Sequence, residues 1–292
     1  MGRKKRQGSA RLRQFRDERR GVTDAVGPSG SVALIGAGNM GLALLEGWAS
    51  QNLIGTVSVV EPQPSQRLQN LCAERGYELN GAAAPRDAVV LAVKPQALES
   101  GAGAAAPFIG PATVVVSILA GKRIADIAAQ MPAPAIVRAM PNTPAAIGRG
   151  VTGAFSSPAT NAAQRGLADA LLRAVGAVEW IDDESLIDAV TAVSGSGPAY
   201  VFYFAECLAA AGAEAGLPAA LAARLARATV EGAGELMRRQ PETSPDELRR
   251  RVTSPGGTTA AALKVLDAPD GLAALMRRAV AAAKRRAGEL SG

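Results

Sequence analysis

Residues 31–41, SVALIGAGNMG, constrain this chain more than any other stretch. The first five are apolar and rich in β-branched residues, as in a buried parallel strand. Gly36, Gly38 and Gly41 follow in the spacing G-x-G-x-x-G, and an apolar-periodic helix is expected over about 39–50. A motif of three glycines arises readily by chance in a chain with 32 of them. The flanking strand and helix make it informative. Gly36 permits the sharp turn, Gly38 lets backbone approach a pyrophosphate, and Gly41 lets helix and strand pack closely. The anion would then sit on unpaired N–H groups at the positive end of the helix.

The pattern continues downstream. Apolar runs at about 57–60, 88–93, 113–118, 135–140, 151–155 and 178–181 read as further strands. Helical segments are expected at about 64–75, from 124, and at 161–175. Continuous apolar strands alternating with helices predict an α/β fold with a doubly wound parallel sheet, a Rossmann domain over 31–182. Beyond about residue 183 strand signals vanish. Ala-rich helices are expected at about 198–215, 219–239, 245–252, 258–266 and 271–289, an all-α domain over 183–292. These helices are too apolar for one small domain to cover, so a self-association surface is expected.

Composition narrows the chemistry. Histidine is absent, which excludes Ser–His and Cys–His catalysis and most zinc sites. Cys72 and Cys207 form no metal spacing, so no metal is expected; two reduced thiols packed as small apolar groups fit a cytoplasmic protein. No run of about twenty apolar residues lacks charges or prolines, so no membrane span is expected. The net charge of +6 resides in the first 29 residues, with nine Lys/Arg against three Asp/Glu. The remainder carries 23 of each sign and gives no nucleic-acid footprint. Residues 1–30 read as a disordered basic arm. A presequence, a nucleic-acid arm and a true start further downstream remain open for it.

Two further features carry chemistry. Glu61 ends the second strand, where an acidic side chain hydrogen-bonds the ribose hydroxyls of NAD and repels the extra phosphate of NADP. This favours NADH over NADPH, while Arg67 on the next helix would soften the repulsion. Residues 254–259, SPGGTT, open a helix with bare N–H groups, an anion nest suited to a small carboxylate. A plain capped helix start is the alternative. A third glycine-serine turn, SGSGPAY at 194–200, falls where the two domains meet.

Together these stretches resemble the pyrroline-5-carboxylate reductase family. The matching segments are IGAGNMG (35–41), AVKPQ (92–96), RAMPNTPA (138–145), DAVTAVSGSGPAY (188–200) and VTSPGGTTAAAL (252–263), in the family's order and spacing. The resemblance implies a Rossmann domain followed by a helical dimerisation domain whose helices interleave with those of a second copy. It also implies assembly into a decamer of five dimers. It places Ile35, Gly36, Ala37, Gly38, Asn39 and Met40 along NADH or NADPH, with Ala92, Val93, Lys94 and Pro95. Ile118, Leu119 and Ala120 line the same cofactor, and Gln63 and Asn80 approach the adenosine. The backbone of Gly257, Thr258 and Thr259 would cradle the carboxylate of pyrroline-5-carboxylate. The Thr259 hydroxyl would meet the ring nitrogen, and Glu242 would stand near the substrate amine, supplied across the dimer. Other imine reductases and 3-hydroxyacid dehydrogenases share the layout, but the latter use a junction Lys that 194–200 lacks. A nucleotide-binding protein without turnover is the remaining alternative.

Overall fold

The computed structural model describes residues 30–131, 133 and 135–291. All but the last residue of the expected basic arm lies outside the described residues. Eight strands form one sheet: β1 Ser31–Ile35, β2 Thr56–Val60, β3 Glu78–Leu79, β4 Ala88–Leu91, β5 Val114–Ser117, β6 Ala135–Met140, β7 Gly150–Ser156 and β8 Gly176–Trp180. Their order is β3-β2-β1-β4-β5-β6-β7-β8. The first six strands run parallel.

Side chains alternate across this sheet, so each strand feeds two cores. Val32 and Leu34 of β1 join Val90, Val116 and Val137 on one face. Ala33 and Ile35 join Val89, Leu91, Val115 and Ile136 on the other. Helices α1 (Asn39–Gln51), α2 (Gln66–Arg75) and the later α5 (Ala162–Arg173) cover the first face with Leu44, Leu45, Trp48, Leu68, Leu171 and Leu172. Trp48 is fully buried, and its indole N–H donates to the Leu171 carbonyl at 2.8 Å. Helices α3 (Leu98–Ala105) and α4 (Ile124–Gln130) cover the second face with Leu98, Ala102, Ala105 and Ile127. Cys72 is a free thiol in the first core, and burial pushes its pKa up.

Strands β7 and β4 depart from the sequence expectation. Strand β7 runs antiparallel to β6, with Arg138 opposite Phe155. The connection over 141–149 is too short for the crossover a parallel partner needs. Strand β4 ends at Leu91 rather than 93, because Ala92 and Val93 turn away toward the short 3₁₀ segment Pro95–Ala97.

After Trp180 the described chain is helical: α6 Ile187–Val190, α7 Gly197–Glu214, α8 Ala219–Arg239, α9 Pro245–Arg251, α10 Thr258–Leu266 and α11 Leu272–Ser291. The glycine-serine turn expected ahead of the helix at 198 is instead part of a helical run, with a π-helical segment Thr191–Gly195 between α6 and α7. The Ser196 N–H reaches back to the Thr191 carbonyl at 2.8 Å. Asn142 explains the placement. Its Nδ2 donates to the Ser194 carbonyl at 3.1 Å, and its Oδ1 accepts the Val151 N–H at 2.9 Å. The end of β6 thus holds the π-helical segment and β7 together.

Arg138 of β6 makes the second link between sheet and helices. It is 3% exposed, with Nη1 3.1 Å from Glu184 Oε1 and Nη2 3.8 Å from Asp188 Oδ1. Glu184 also accepts the Ile124 N–H at 2.8 Å, and Ser291 Oγ donates to Asp188 at 3.4 Å. One guanidinium therefore connects the sheet, α4, α6 and the end of α11.

The helical segment leaves apolar surface uncovered. Helix α7 has no buried residue, and Phe202, Tyr203 and Phe204 stand exposed on it. Val265 on α10 is 72% exposed. Among the described residues no helix is long and apolar enough to cross a membrane.

Arg138→Met should strip Glu184 and Asp188 of their shared cation while leaving the packing volume nearly filled. Because both carboxylates keep some solvent contact, the expected cost is about 1–3 kcal/mol. Thermal unfolding should show a clear fall in Tm, partly restored by adding Glu184→Gln. An unchanged Tm would mean that the guanidinium does not stabilise the junction.

Candidate active site

Parallel strands end on one edge of the sheet, and the order reverses between β1 and β4. Loops diverge there and leave a crevice. Gly36 follows β1 with φ +89, a backbone conformation that suits glycine. Its N–H donates to the Val60 carbonyl at 2.8 Å, and a Cβ there would lie 2.9 Å from both the carbon and the oxygen of the Ala92 carbonyl. A Cβ on Gly41 would run into the Gly36 carbonyl oxygen. A Cβ on Gly38 would meet nothing within 4 Å. The first and third glycines are thus required by the protein's own backbone. The second borders open space. Gly38 caps α1 without a side chain, so the first-turn N–H groups stay free for an anion.

Beside this turn lies a cavity of about 360 Å³. Ile35, Gly36, Gly38, Glu61, Ala92, Val93 and Lys94 line it, as the sequence suggests for a cofactor groove. Val60, Pro62, Ala97, Ser100, Gly101 and Ala104 complete the wall. None of these six was singled out from the sequence, although the small residues of LESGAGAA are the signal for Ser100, Gly101 and Ala104. A Cβ on Gly101 would press on Val93 at 2.9 Å, so small residues keep α3 clear of the groove.

The remaining cofactor candidates have other surroundings. Asn39 and Met40 line a second hollow of about 430 Å³, with Glu46, Arg67 and Thr143. Ile118 is half-buried against the first core, whereas Leu119 is 2% exposed within the second. The Leu119 N–H donates to Ser117 Oγ at 3.4 Å and its carbonyl accepts the Lys122 N–H at 3.4 Å. Ala120 is exposed, and Pro95 begins the 3₁₀ turn. Ala37 is 8% exposed, and its N–H donates to Glu61 Oε2 at 2.8 Å. Gln63 is exposed, with its N–H on Glu61 Oε1 at 3.1 Å. Asn80 is exposed with its side chain on the Glu61 backbone, and it does not itself line the groove.

A second candidate anion site opens α10. Gly256 has φ +72, and Gly257 caps the helix from extended backbone. A Cβ on Gly257 would stand 2.6 Å from Ser254 Oγ. The Gly257 N–H itself donates to the Ser254 carbonyl at 3.1 Å. The nest therefore starts one residue later than the sequence suggests, at the N–H groups of Thr258 and Thr259. These have no acceptor within their own helix, and no side chain caps them. Thr259 is half-buried and Glu242 is exposed in the turn between α8 and α9. The groove is lined by residues 35–104 alone. Within one chain it does not include the nest.

Residues 31–121 match a family model described as NADP oxidoreductase, coenzyme F420-dependent. Residues 184–290 match one for pyrroline-5-carboxylate reductase dimerisation. The chain is 43% identical over 265 residues to a pyrroline-5-carboxylate reductase of Pseudomonas aeruginosa, across 89% of this chain and 96% of that one. It is similar in structure to a pyrroline-5-carboxylate reductase of Coxiella burnetii, with TM-score 0.83 and 34% identity over 91% of this chain and 100% of that one. A pyrroline carboxylate reductase structure of Plasmodium falciparum with NADP bound matches at TM-score 0.74 and 27% identity, over 91% and 99% of the two chains. The fold and its glycine turn define a dinucleotide-dependent oxidoreductase. The chain belongs to the pyrroline-5-carboxylate reductase family.

The two glycines differ in a way that can be measured. Gly38→Ala should leave Tm nearly unchanged but weaken dinucleotide binding by roughly 10-fold or more, since its methyl enters the anion's space. Gly41→Ala should lower Tm as well, because helix and strand must move apart. Equal effects of the two changes on stability would contradict this division of roles.

Proposed function

We propose that this chain reduces 1-pyrroline-5-carboxylate to L-proline, the last step of proline biosynthesis, with a hydride from NADH or NADPH. The observation that carries the reading is the uncapped nest at Thr258 and Thr259, with a hydroxyl in its first turn, in a chain that also has the glycine turn. The substrate offers a carboxylate beside a cyclic C=N. The nest's N–H groups receive the carboxylate and fix the ring. The bound cofactor supplies the hydride.

The chemistry demands little acid strength. A protonated imine is already the electrophile, so orientation and electrostatic support suffice. As the new C–H bond forms, the C=N π pair moves to nitrogen. The Thr259 hydroxyl donates a hydrogen bond to that nitrogen or relays a proton to it. The Glu242 carboxylate stabilises the positive iminium. No histidine is needed, and none is present.

The functional division places the dinucleotide domain at 31–182 and the dimerisation and substrate domain at 183–292. Exposed Phe202, Tyr203 and Val265 support burial of the helical segment against a second copy. Since the groove is lined without the nest, Glu242 and the nest serve a site shared between two chains. The family resemblance supports a decamer of five such dimers, and two unpaired thiols support a cytoplasmic setting.

The test mixes protein, pyrroline-5-carboxylate and either reduced dinucleotide, and follows loss of the reduced nicotinamide absorbance. Substrate-dependent oxidation is expected, and its absence with both cofactors would overturn the reading. Thr259→Ala should lower kcat/KM by roughly 10-fold or more, and Thr259→Ser should retain most of it. Unchanged kinetics in Thr259→Ala would remove the hydroxyl from the reaction.

A further inference from the structure

Asn80 has φ +50, one of two positive values among the described non-glycine residues. Asparagine tolerates this region better than most residues, yet it remains uncommon and calls for a reason. The reason is a two-point grip on Glu61. Asn80 Oδ1 accepts the Glu61 N–H at 2.9 Å, and Asn80 Nδ2 donates to the Glu61 carbonyl at 2.9 Å. The Asn80 N–H is itself fixed on the Val59 carbonyl at 2.8 Å. One side chain therefore holds both polar groups of Glu61's main chain.

The carboxylate beyond that backbone is equally constrained. Oε2 accepts the Ala37 N–H within the glycine turn, and Oε1 accepts the Gln63 N–H. A carboxylate has about four acceptor positions, so about two remain for hydroxyl donors. Glu61 lines the groove. The cation nearest in sequence gives no relief. Arg67 pairs with Glu46 at 2.6 Å and lines the hollow on another side of α1. Lys94 lines the groove, but it follows β4, and β1 lies between that strand and Glu61.

We propose that Asn80 is a positioning residue for cofactor choice. By gripping the Glu61 main chain, it sets the carboxylate against the glycine turn. There the carboxylate accepts ribose hydroxyls and repels a 2′-phosphate, and the chain prefers NADH to NADPH. This rests on assigning the groove to the dinucleotide.

Asn80→Gly tests it with little backbone strain, because glycine adopts positive φ freely. Isothermal titration of the full-length protein with NADH and with NADPH gives the binding ratio without turnover. The wild type should bind NADH at least about 10-fold more tightly, the scale of one like-charge contact left partly hydrated. In Asn80→Gly that ratio should fall by about 5-fold or more, chiefly through weaker NADH binding. Glu61→Gln should abolish the preference by strengthening NADPH binding. A wild-type preference for NADPH, or an unchanged ratio in Asn80→Gly, would overturn the proposal. Wild-type protein that binds neither dinucleotide would overturn the functional reading beneath it, and this proposal with it.

Discussion

The Gly36 carbonyl oxygen lies where a side chain on residue 41 would begin. That backbone contact sets the rest of the nucleotide-binding half. It brings the first turn of α1 against the end of β1, with no side chain intervening. The same closeness leaves the free N–H groups of α1 beside the carboxyl edge of the sheet, where the strand order reverses. Val93 seats against both Gly36 and Gly101, so the opposite wall keeps its distance only because those positions lack Cβ atoms. A Cβ at residue 36 or 41 would displace main chain, and one at residue 101 would press on the stiff, β-branched Val93 side chain. The groove is therefore an outcome of backbone packing, and its shape is rigidly tied to the core beneath.

A second constraint joins this half to the helices. Arg138 lies in the sheet but finds its carboxylates on the helical side, at Glu184 and Asp188. A buried guanidinium without partners would be costly, so its presence favours one seating of α6 and α11 on the sheet. Its Nε has no partner among the described residues, which is consistent with a side chain held by its two Nη groups. Asn142 adds the π-helical segment to the same junction. Together they fix where the helical half leaves the sheet while keeping α7 and α10 unburied, as a surface for a second copy requires. The dimerisation match over 184–290 falls on this half.

Much of this was legible in the residues because local patterns and tertiary outcome agreed. Runs such as VVVS and AIVRAM can only be parallel or central strands when both faces are covered, and both are. Ala-rich periodicity after residue 183 gave helices close to those observed. The antiparallel entry of β7 was hidden, since a buried strand has the same composition in either direction; only the short connection discloses it. The two-residue β3 was too brief to carry a pattern. At the site, glycine spacing announced the turn. It could not tell that Gly257 uses its own N–H on Ser254, because that depends on a turn geometry several sequences allow. Nor could it show that Arg67 would choose Glu46, a choice made by two helices meeting in space.

Neither candidate anion site calls for histidine. Each is a helix start with glycine at the cap and no side-chain cap, and each offers free peptide N–H groups. Peptide donors do not titrate near neutrality, carry no rotamer entropy and point where the helix points. They bind an anion without adding a full positive charge that would compete with an iminium nearby. A lysine or arginine in the nest would neutralise the substrate carboxylate more strongly, but its charge would oppose the cation beside it. Neutral donors thus suit a substrate with an acid group and an electrophilic cation on adjacent atoms. The proposed function gives the two acidic residues different tasks: Glu61 would select by meeting a sugar with a fixed negative charge, whereas Glu242 would support the iminium.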